Sequence, residues 1–443
     1  MASINVSCVP RNPELLWLQA ADEHRSYIIS HDRALTKEPR CRRGDGGLNR
    51  LMQDAWRPET NTFHFPIGEA TVTLQDVQVI WGLPIQGPPV CGKWVTKTRN
   101  VEYWKNLCQE YLGIYPEDDD LRKGRMKFNR LAGTITFEHW DPNDDERCQQ
   151  MARRVILALI GSQLFPDSNS YDVSLNYLPF LGDLSIAGRR SWGSATLCCL
   201  YRNLSKGTWP TRQGIDGPLL LLQYWAWERF PRIAPRVTPF KPDDGEEEEV
   251  YEYGSCLANK WCGDHSNRDT PGHCKISFRS FFNALTPDQF EWTPYNNFIN
   301  ILPASCKTGR SIWRYMGPLI CWEEVEFHLA DRVARQFGLI QAIPDNDALV
   351  APAQHKTLIK MRKARVDYCE VHADYIDQWN NRAQRIHQGD RGATCAPGYM
   401  QWYLERTVLT VGKPGQQQPP SQYPQWGVTQ QFYVCVNNYL YIL

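Results

Sequence analysis

The sequence predicts a mainly α-helical protein, built as one large single helical domain with a small β-hairpin near its N-terminus. Three observations support this prediction. Apolar residues recur at helical spacing over several long segments. Paired β-prone runs flanking a glycine turn occur near residue 68. The chain has 443 residues, of which 42% are hydrophobic and 12% aromatic, so it can bury a large core.

The N-terminal region, residues 1–48, is predicted to contain one helix and a flexible connector. Apolar residues are closely spaced over residues 15–29, which suits a short helix followed by a turn. Arginines and glycines then dominate residues 40–47. This connector is locally basic, and a solvated loop explains it better than a localisation signal.

A β-hairpin is predicted from two short β-prone runs, residues 62–65 and 69–73. Pro66, Ile67 and Gly68 separate the two runs. A glycine takes the positive φ that a tight turn needs without steric cost. We therefore expect the chain to reverse direction at this point.

A short helix is predicted directly after the hairpin. Thr73 and Asp76 have the spacing of a capping box, in which each side chain satisfies a backbone amide at the start of a helix. The helix then begins at Leu74. It ends at Gly82 and Pro84, because glycine suits the left-handed C-terminal cap and proline cannot continue a helix.

Further helices are predicted from apolar periodicity. They cover residues 101–112, 145–165, 190–205, 215–230, 322–337 and 367–384. Small residues between Gly193 and Cys198 would let a neighbouring helix approach closely, and residues 219–227 are apolar on nearly all sides. We expect these two helices to form the centre of the core.

The main helical domain is predicted to span residues 49–410. Residues 231–254 interrupt it, because prolines are followed there by the acidic run 243–249, which is typical of an exposed loop. Residues 411–443 are predicted to be a low-complexity tail, since their first part is rich in glycine, glutamine and proline.

Charge and cysteine content restrict the possible functions. Lysine plus arginine and aspartate plus glutamate each number 49, so the chain is formally neutral. Neutrality disfavours non-specific nucleic-acid binding by the whole chain, and a basic groove would have to be assembled by folding. The 15 cysteines, without a secretory segment, are typical of reduced thiols inside the cell. Apolar stretches are too short to cross a bilayer, so no membrane association is expected.

One cluster of residues could hold a metal ion. Four of Cys256, Cys262, His265, His273 and Cys274 could surround zinc with thiolate sulfur and imidazole nitrogen. Their spacing fits no standard zinc module, and free cysteines are commonly small buried apolar residues. The sequence therefore leaves zinc binding open and assigns no metal.

Other catalytic arrangements receive less support. Residues 263–265 and 389–392 faintly resemble metallophosphatase loops, which leaves an unrecognised metal-dependent hydrolase as an alternative. Lys206 could form a Schiff base with pyridoxal phosphate, yet a lysine at a helix C-terminus is explained by the helix dipole. Common phosphate-loop, zinc-protease and serine-hydrolase motifs are missing. We predict no enzyme activity, no cofactor and no small-molecule substrate.

Residues 56–84 read WRPETNTFHFPIGEATVTLQDVQVIWGLP. This tract closely resembles the opening signature of the plant mobile domain family. Further family-like tracts follow in order at residues 191–202, 219–231, 292–295 and 331–344. Family members are also labelled aminotransferase-like, a name that Lys206 does not support chemically.

The resemblance implies a non-enzymatic nuclear interaction or scaffold protein. The chain is similar to the MAINTENANCE OF MERISTEMS group, which implies a role in meristem maintenance and transposon silencing. It also implies a protein partner of the protein phosphatase seven type, with indirect association with chromatin. The alternative is a transposon-derived protein that binds nucleic acid directly.

Four polar or aromatic residues of the signature lack a local structural explanation. Trp56, Arg57, His64 and Glu69 belong neither to the glycine turn nor to the capping box. We therefore predict that they are candidates for a binding surface.

Overall fold

A computed structural model describes residues 40–41, 46–93, 101–136, 143–166, 171–209, 214–234, 256–261, 272–297, 299–345 and 366–408. The predicted helix at 15–29, the acidic run 243–249 and the tail 411–443 lie outside these residues. The described part of the protein is mainly helical, with small separate sheets. Within it, no helix is both long and apolar enough to span a bilayer.

The α-helices are α1 (Gly46–Ala55), α2 (Leu74–Trp81), α3 (Val101–Leu112), α4 (Phe128–Gly133), α5 (Asp145–Leu159), α6 (Leu184–Ala187), α7 (Trp192–Gly207), α8 (Leu219–Arg229), α9 (Gly272–Asn283), α10 (Tyr368–Val371), α11 (Ala373–Asn380) and α12 (Tyr399–Leu404). One π-helical turn, Ile160–Leu164, continues α5. Longer 3-10 segments are Leu175–Leu181, Leu257–Trp261 and Ala330–Phe337.

The strands are β1 (Arg40–Cys41), β2 (Trp56–Arg57), β3 (Thr62–Phe65), β4 (Gly68–Ala70), β5 (Arg125–Lys127), β6 (Asp172–Ser174), β7 (Gly214–Ile215), β8 (Met316–Cys321) and β9 (Glu324–Leu329). Strands β2, β3 and β4 form an antiparallel sheet in which Phe63 lies opposite both Trp56 and Ala70. Strands β8 and β9 form a second antiparallel hairpin.

The predicted N-terminal hairpin and the helix after it are confirmed. Strands β3 and β4 pair around Gly68, whose φ of 121° is in the range that favours glycine. Thr73 and Asp76 form both hydrogen bonds of the capping box, and Gly82 ends α2 in the left-handed conformation. Strand β2 was not predicted, because two residues are too few to show alternation.

The predicted helix at residues 322–337 is wrong. The structure has strand β9 and a 3-10 segment there instead. Trp322, Val325 and Leu329 are spaced like one face of a helix, but Trp322 has a φ of 53° and turns the chain back along β8. Strand β9 thereby satisfies its backbone groups through pairing with β8. The predicted helix at 367–384 is divided at His372 into α10 and α11.

Helices α7 and α8 lie in the centre of the core, as predicted. Most buried apolar residues of the described part form one hydrophobic cluster that includes both helices, with Trp192 and Trp225 fully enclosed. A Cβ on Gly193 would lie 2.8 Å from Ile85, so the small residue permits close packing. Burial of Trp225 agrees with a role in packing rather than in stacking on nucleic acid.

Candidate functional site

The four signature residues singled out from the sequence lie inside the protein. Trp56, Arg57, His64 and Glu69 have exposed fractions of 0, 0, 5 and 1%. They therefore do not form an exposed binding surface in this structure, contrary to the expectation of a surface patch. For three of them the reason is tertiary, because a partner comes from a distant part of the chain: Ser205 for Trp56, Thr407 for His64 and Arg332 for Glu69.

Trp56 anchors strand β2 to helix α7. Its indole Nε1 donates a hydrogen bond to the Ser205 hydroxyl at 3.0 Å. Its ring meets the edge of Phe63 at a centroid distance of 4.9 Å and lies 5.2 Å from the ring of Tyr201. The polar end of a fully buried tryptophan is thus satisfied while its rings fill the core.

His64 and Glu69 form a buried ionic group with Arg332. Glu69 Oε1 lies 3.2 Å from His64 Nε2 and 3.1 Å from Arg332 Nε. The Thr62 hydroxyl donates to the same carboxylate oxygen at 3.0 Å. On the other side of the imidazole ring, Nδ1 lies 2.9 Å from the Thr407 hydroxyl. This group joins the N-terminal sheet to residues more than 250 positions away.

Burial and neighbouring charges shift the pKa values of this group. Burial lowers the pKa of His64 to about 4, although the hydrogen bond to Glu69 opposes the shift. Burial also acts to raise the pKa of Glu69, but Arg332 and His64 outweigh it and lower that pKa to about 2. The group therefore consists of a neutral imidazole, a carboxylate and a guanidinium at neutral pH.

Arg57 caps the end of helix α1. Its Nη1 donates to the carbonyl oxygens of Asp54 and Trp56, each at 2.9 Å. Burial lowers the pKa of Arg57, and the nearby carboxylates Glu59 and Asp54 oppose that effect. A cation at the C-terminal end of a helix also complements the helix dipole.

A second buried ion pair connects helices α2 and α8. Asp76 Oδ1 accepts from Arg229 Nη2 at 2.8 Å and from the Tyr295 hydroxyl at 2.6 Å. Asp76 Oδ2 accepts from the Thr73 amide at 2.7 Å. Arg229 also donates to the Trp292 carbonyl oxygen. The sequence identified Asp76 only as a helix cap and gave no sign of Arg229, because the two residues are 153 positions apart.

The turn at Gly68 contacts a fourth arginine, Arg335. Arg335 lies over the ring of Trp292 at 3.6 Å and donates to the Ile67 carbonyl oxygen at 2.9 Å. A Cβ on Gly68 would come within 2.1 Å of Arg335 Nη2. Glycine is therefore favoured here by its positive φ, and a larger residue would also displace the Arg335 guanidinium.

The surface of the described part contains an open cleft of about 490 Å³. Trp227 and Trp261 lie in its wall with ring centroids 5.1 Å apart. Glu228 accepts from Trp261 Nε1 at 2.8 Å and pairs with Lys260 at 2.7 Å, and burial raises the pKa of this glutamate. Exposed polar residues such as Asn296 line the opening. The cleft thus combines a fixed aromatic wall with a polar rim.

Comparison with known sequences identifies the family. A sequence model of the plant mobile domain matches residues 46–404. The chain belongs to the plant mobile domain family. The match begins at α1 and ends with α12, so it contains both buried ionic groups.

Three curated Arabidopsis thaliana proteins resemble this plant mobile domain. Serine/threonine-protein phosphatase 7 long form homolog is 34% identical over 392 residues, which cover 86% of this chain and 28% of that protein. Protein MAIN-LIKE 1 is 32% identical over 83% of this chain and 67% of its own length. Protein MAINTENANCE OF MERISTEMS is 29% identical over 82% of this chain and 70% of its own length. No solved structure matches the chain.

The possible zinc ligands of this plant mobile domain lie largely outside the described residues. Cys262 and His265 are not described, and His273 and Cys274 are placed only by the backbone of helix α9. Cys256 is fully buried. Within the described part alone, no three potential ligands come together to hold a metal ion. The structure therefore leaves zinc binding by this cluster open, as the sequence does.

Lys206, the lysine considered for pyridoxal phosphate, pairs with a carboxylate in this plant mobile domain. Its Nζ lies 2.6 Å from Glu324 Oε1. It is also the basic residue in the last turn of α7, the position that complements a helix dipole. Its position and its ion pair thus match the structural explanation.

The stability of this plant mobile domain is expected to fall as the pH is lowered from 7 to 5. The pKa values of His64 and His328 are both lowered by burial to about 4, below the value of an unfolded histidine. Between pH 7 and pH 5 each histidine is protonated in the unfolded chain but stays neutral in the folded protein. Each histidine should therefore lower the free energy of unfolding by about 2 kcal/mol over this range. Glu69 adds a loss at lower pH, as its folded pKa of about 2 is below the unfolded value.

Urea denaturation at several pH values measures this dependence. In the variants His64→Gln and His328→Gln, the unfolding free energy should change less steeply with pH between pH 7 and pH 5 than in the unsubstituted protein. An unfolding free energy of the unsubstituted protein that does not change over this range would contradict the expectation.

Proposed function

We propose that this chain is a non-enzymatic interaction module that acts in the nucleus by holding a protein partner. One observation carries the proposal. Two ionisable residues of the family signature, His64 and Glu69, are enclosed and bonded to other groups of the fold. We infer that the signature stabilises the fold and that residues on the surface of the domain bind the partner.

The names of the relatives support a particular kind of partner. One relative is named as a serine/threonine-protein phosphatase 7 long form homolog, and this chain corresponds to 28% of its length. We propose that a phosphatase of this type is the partner, acting as a separate protein. The name MAINTENANCE OF MERISTEMS supports a role in meristem maintenance. We also propose a role in transposon silencing, in which the partner links the domain to chromatin.

Affinity purification of the tagged full chain from plant nuclei tests this function. A serine/threonine phosphatase of this type should be recovered, and the tagged chain should fractionate with nuclei. The purified chain alone should not hydrolyse phosphate esters, with or without divalent metal ions. Recovery of no such phosphatase, or activity that follows the chain through purification, would refute the proposal.

The open cleft allows a sharper version of this experiment. Asn296 is exposed at the cleft, and its described hydrogen bond uses only its backbone amide. Asn296→Arg should therefore fill part of the cleft without unfolding the domain, and recovery of the phosphatase should fall. The matched control is Asn129→Arg, an exposed position on helix α4, which should leave recovery unchanged.

A further inference from the structure

Folding brings together two arginine-rich segments that are far apart in the sequence. Tyr315 pairs with Ile386 in an antiparallel bridge. On either side of it, the Arg385 carbonyl accepts from the Met316 amide at 2.7 Å, and the Arg314 carbonyl accepts from the His387 amide at 2.8 Å. The 3-10 turns Arg310–Ile312 and Arg382–Gln384 also contact each other.

These contacts create what we call the arginine surface, formed by Arg310, Arg314, Arg382 and Arg385. Arg310 and Arg385 are exposed, and Arg314 and Arg382 are half-buried. In a chain that is neutral as a whole, two segments with two arginines each thus meet beside the buried Tyr315. This is the kind of basic region that the sequence alone could not place, because it is assembled by folding.

The partners that the described residues give to these side chains are neutral. Arg310 lies over the ring of Trp313 at 5.7 Å, and Arg382 lies over Trp379 at 4.9 Å. Arg382 also donates to the Trp379 carbonyl oxygen at 2.9 Å, and Arg385 donates to the Gln378 amide oxygen at 3.1 Å. Ring faces and neutral oxygens orient a guanidinium without cancelling its charge.

Within the described part of the chain, no carboxylate forms an ion pair with these four arginines. Asp377, on helix α11, accepts a hydrogen bond from the Asn381 side chain at 3.4 Å. Asp331 and Asp345 act on His387 and oppose the lowering of its pKa by burial. Arg314 also acts on His387, but none of these three aspartates forms an ion pair with a guanidinium of the arginine surface.

Another basic stretch of the chain shows the opposite arrangement. Residues 122–130 contain several lysines and arginines, but the acidic turn Asp118–Asp120 lies beside them. Arg130 pairs with Asp120 at 3.0 Å, and Lys105 pairs with Asp118 at 2.6 Å. Positive charge is thus partly offset there by nearby carboxylates. The contrast makes residues 122–130 an internal control for the arginine surface.

We propose that the arginine surface binds the phosphate backbone of duplex DNA. A guanidinium presents a rigid fork of donors that matches the two oxygens of a phosphodiester. Trp313 and Trp379 are only 6 and 1% exposed, so the surface offers charge without an aromatic platform. Unstacked bases of a single strand and anchoring side chains of a peptide need such a platform or pocket, whereas backbone phosphates of a duplex do not.

This inference goes beyond the proposed function, in which chromatin is reached through a protein partner. Direct contact with DNA would place the domain on chromatin independently of that partner. Backbone contacts carry no sequence information, so the binding should be non-specific and salt-dependent. Because this binding would not be sequence-specific, other proteins would have to determine the DNA site at which the partner acts.

Binding of a short fluorescent DNA duplex to the full chain, measured over a range of salt concentrations, tests the proposal. Each phosphate contact contributes about −0.9 to the slope of log affinity against log salt, so four contacts predict a slope of about −3.6. The triple variant Arg310→Gln, Arg314→Gln, Arg385→Gln should make that slope shallower by about three. The corresponding triple Arg→Lys variant should keep most of the slope, because it keeps the charge.

The matched control removes three positive charges from residues 122–130. Arg122→Gln, Lys123→Gln and Lys127→Gln together should leave the slope unchanged, as these residues are exposed beside the acidic turn. Circular dichroism verifies that each variant folds, and single Arg385→Gln, expected to cost about one unit of slope, replaces the triple variant if that does not fold. An unchanged slope in the arginine variants, or an equal loss in the control, would overturn the proposal. Tighter binding of polyglutamate than of the duplex at equal salt would also overturn it.

Discussion

Arg229→Met is expected to lower the free energy of unfolding by about 3–5 kcal/mol, since removing one partner of a buried ion pair leaves the other charge uncompensated. Asp76 is fully buried, and Arg229 supplies the positive charge at 2.8 Å from its carboxylate. Tyr295 and Thr73 would still donate to the carboxylate, but they carry no charge. Urea denaturation followed by tryptophan fluorescence measures the loss.

The control for this substitution lies three residues further along the chain. Arg232 is half exposed and lies 3.6 Å from Asp288, which is also exposed. An exposed ion pair contributes at most about 1 kcal/mol, so Arg232→Met should change the unfolding free energy little. Equal losses in Arg229→Met and Arg232→Met would contradict the prediction that the buried pair stabilises the fold more than the exposed pair.

Trp56→Ala is expected to cost about 3–5 kcal/mol, the range for removing a fully buried tryptophan from a core. The substitution leaves a cavity between Phe63 and Tyr201 and removes the indole partner of the Ser205 hydroxyl. Both effects lower the free energy of unfolding. Helix α7 can close only part of the cavity, so most of the loss should remain. Thermal denaturation, with the same measurement in urea, determines the size of the loss.

Trp402→Ala is the matched control for this prediction. Trp402 is half-buried on helix α12 and lies 5.0 Å from Arg406. It should cost clearly less than Trp56→Ala, because less apolar area is withdrawn from water at this position. A Trp56→Ala protein as stable as Trp402→Ala would exclude a packing role for the signature tryptophan.

Local features of the fold were accessible from the sequence because their causes are local. The Gly68 turn, the Thr73 and Asp76 capping box and the Gly82 stop each depend on a few neighbouring residues. The same is true of the apolar spacing that predicts helices α7 and α8. Periodicity failed at residues 322–337, where pairing with β8 decides the conformation.

The roles of the signature side chains were not accessible in this way. His64 and Glu69 suggested a binding surface, because neither belongs to the glycine turn or to the capping box. Their partners, Arg332 and Thr407, are 263 and 343 positions away. Only the tertiary fold turns such residues into interior contacts. The same applies to the arginine surface, whose two halves meet through one backbone bridge.

The contacts of the N-terminal sheet with helix α12 and the residues after it have a consequence for biosynthesis. Tyr403 donates to the Phe65 carbonyl at 2.8 Å, and Thr407 meets the His64 ring. A ribosome makes the signature first and these partners several hundred residues later. Until then the imidazole and the strand lack part of their hydrogen bonding, so this end of the domain must be completed late. A nascent chain should therefore depend on chaperones until helix α12 and Thr407 have emerged.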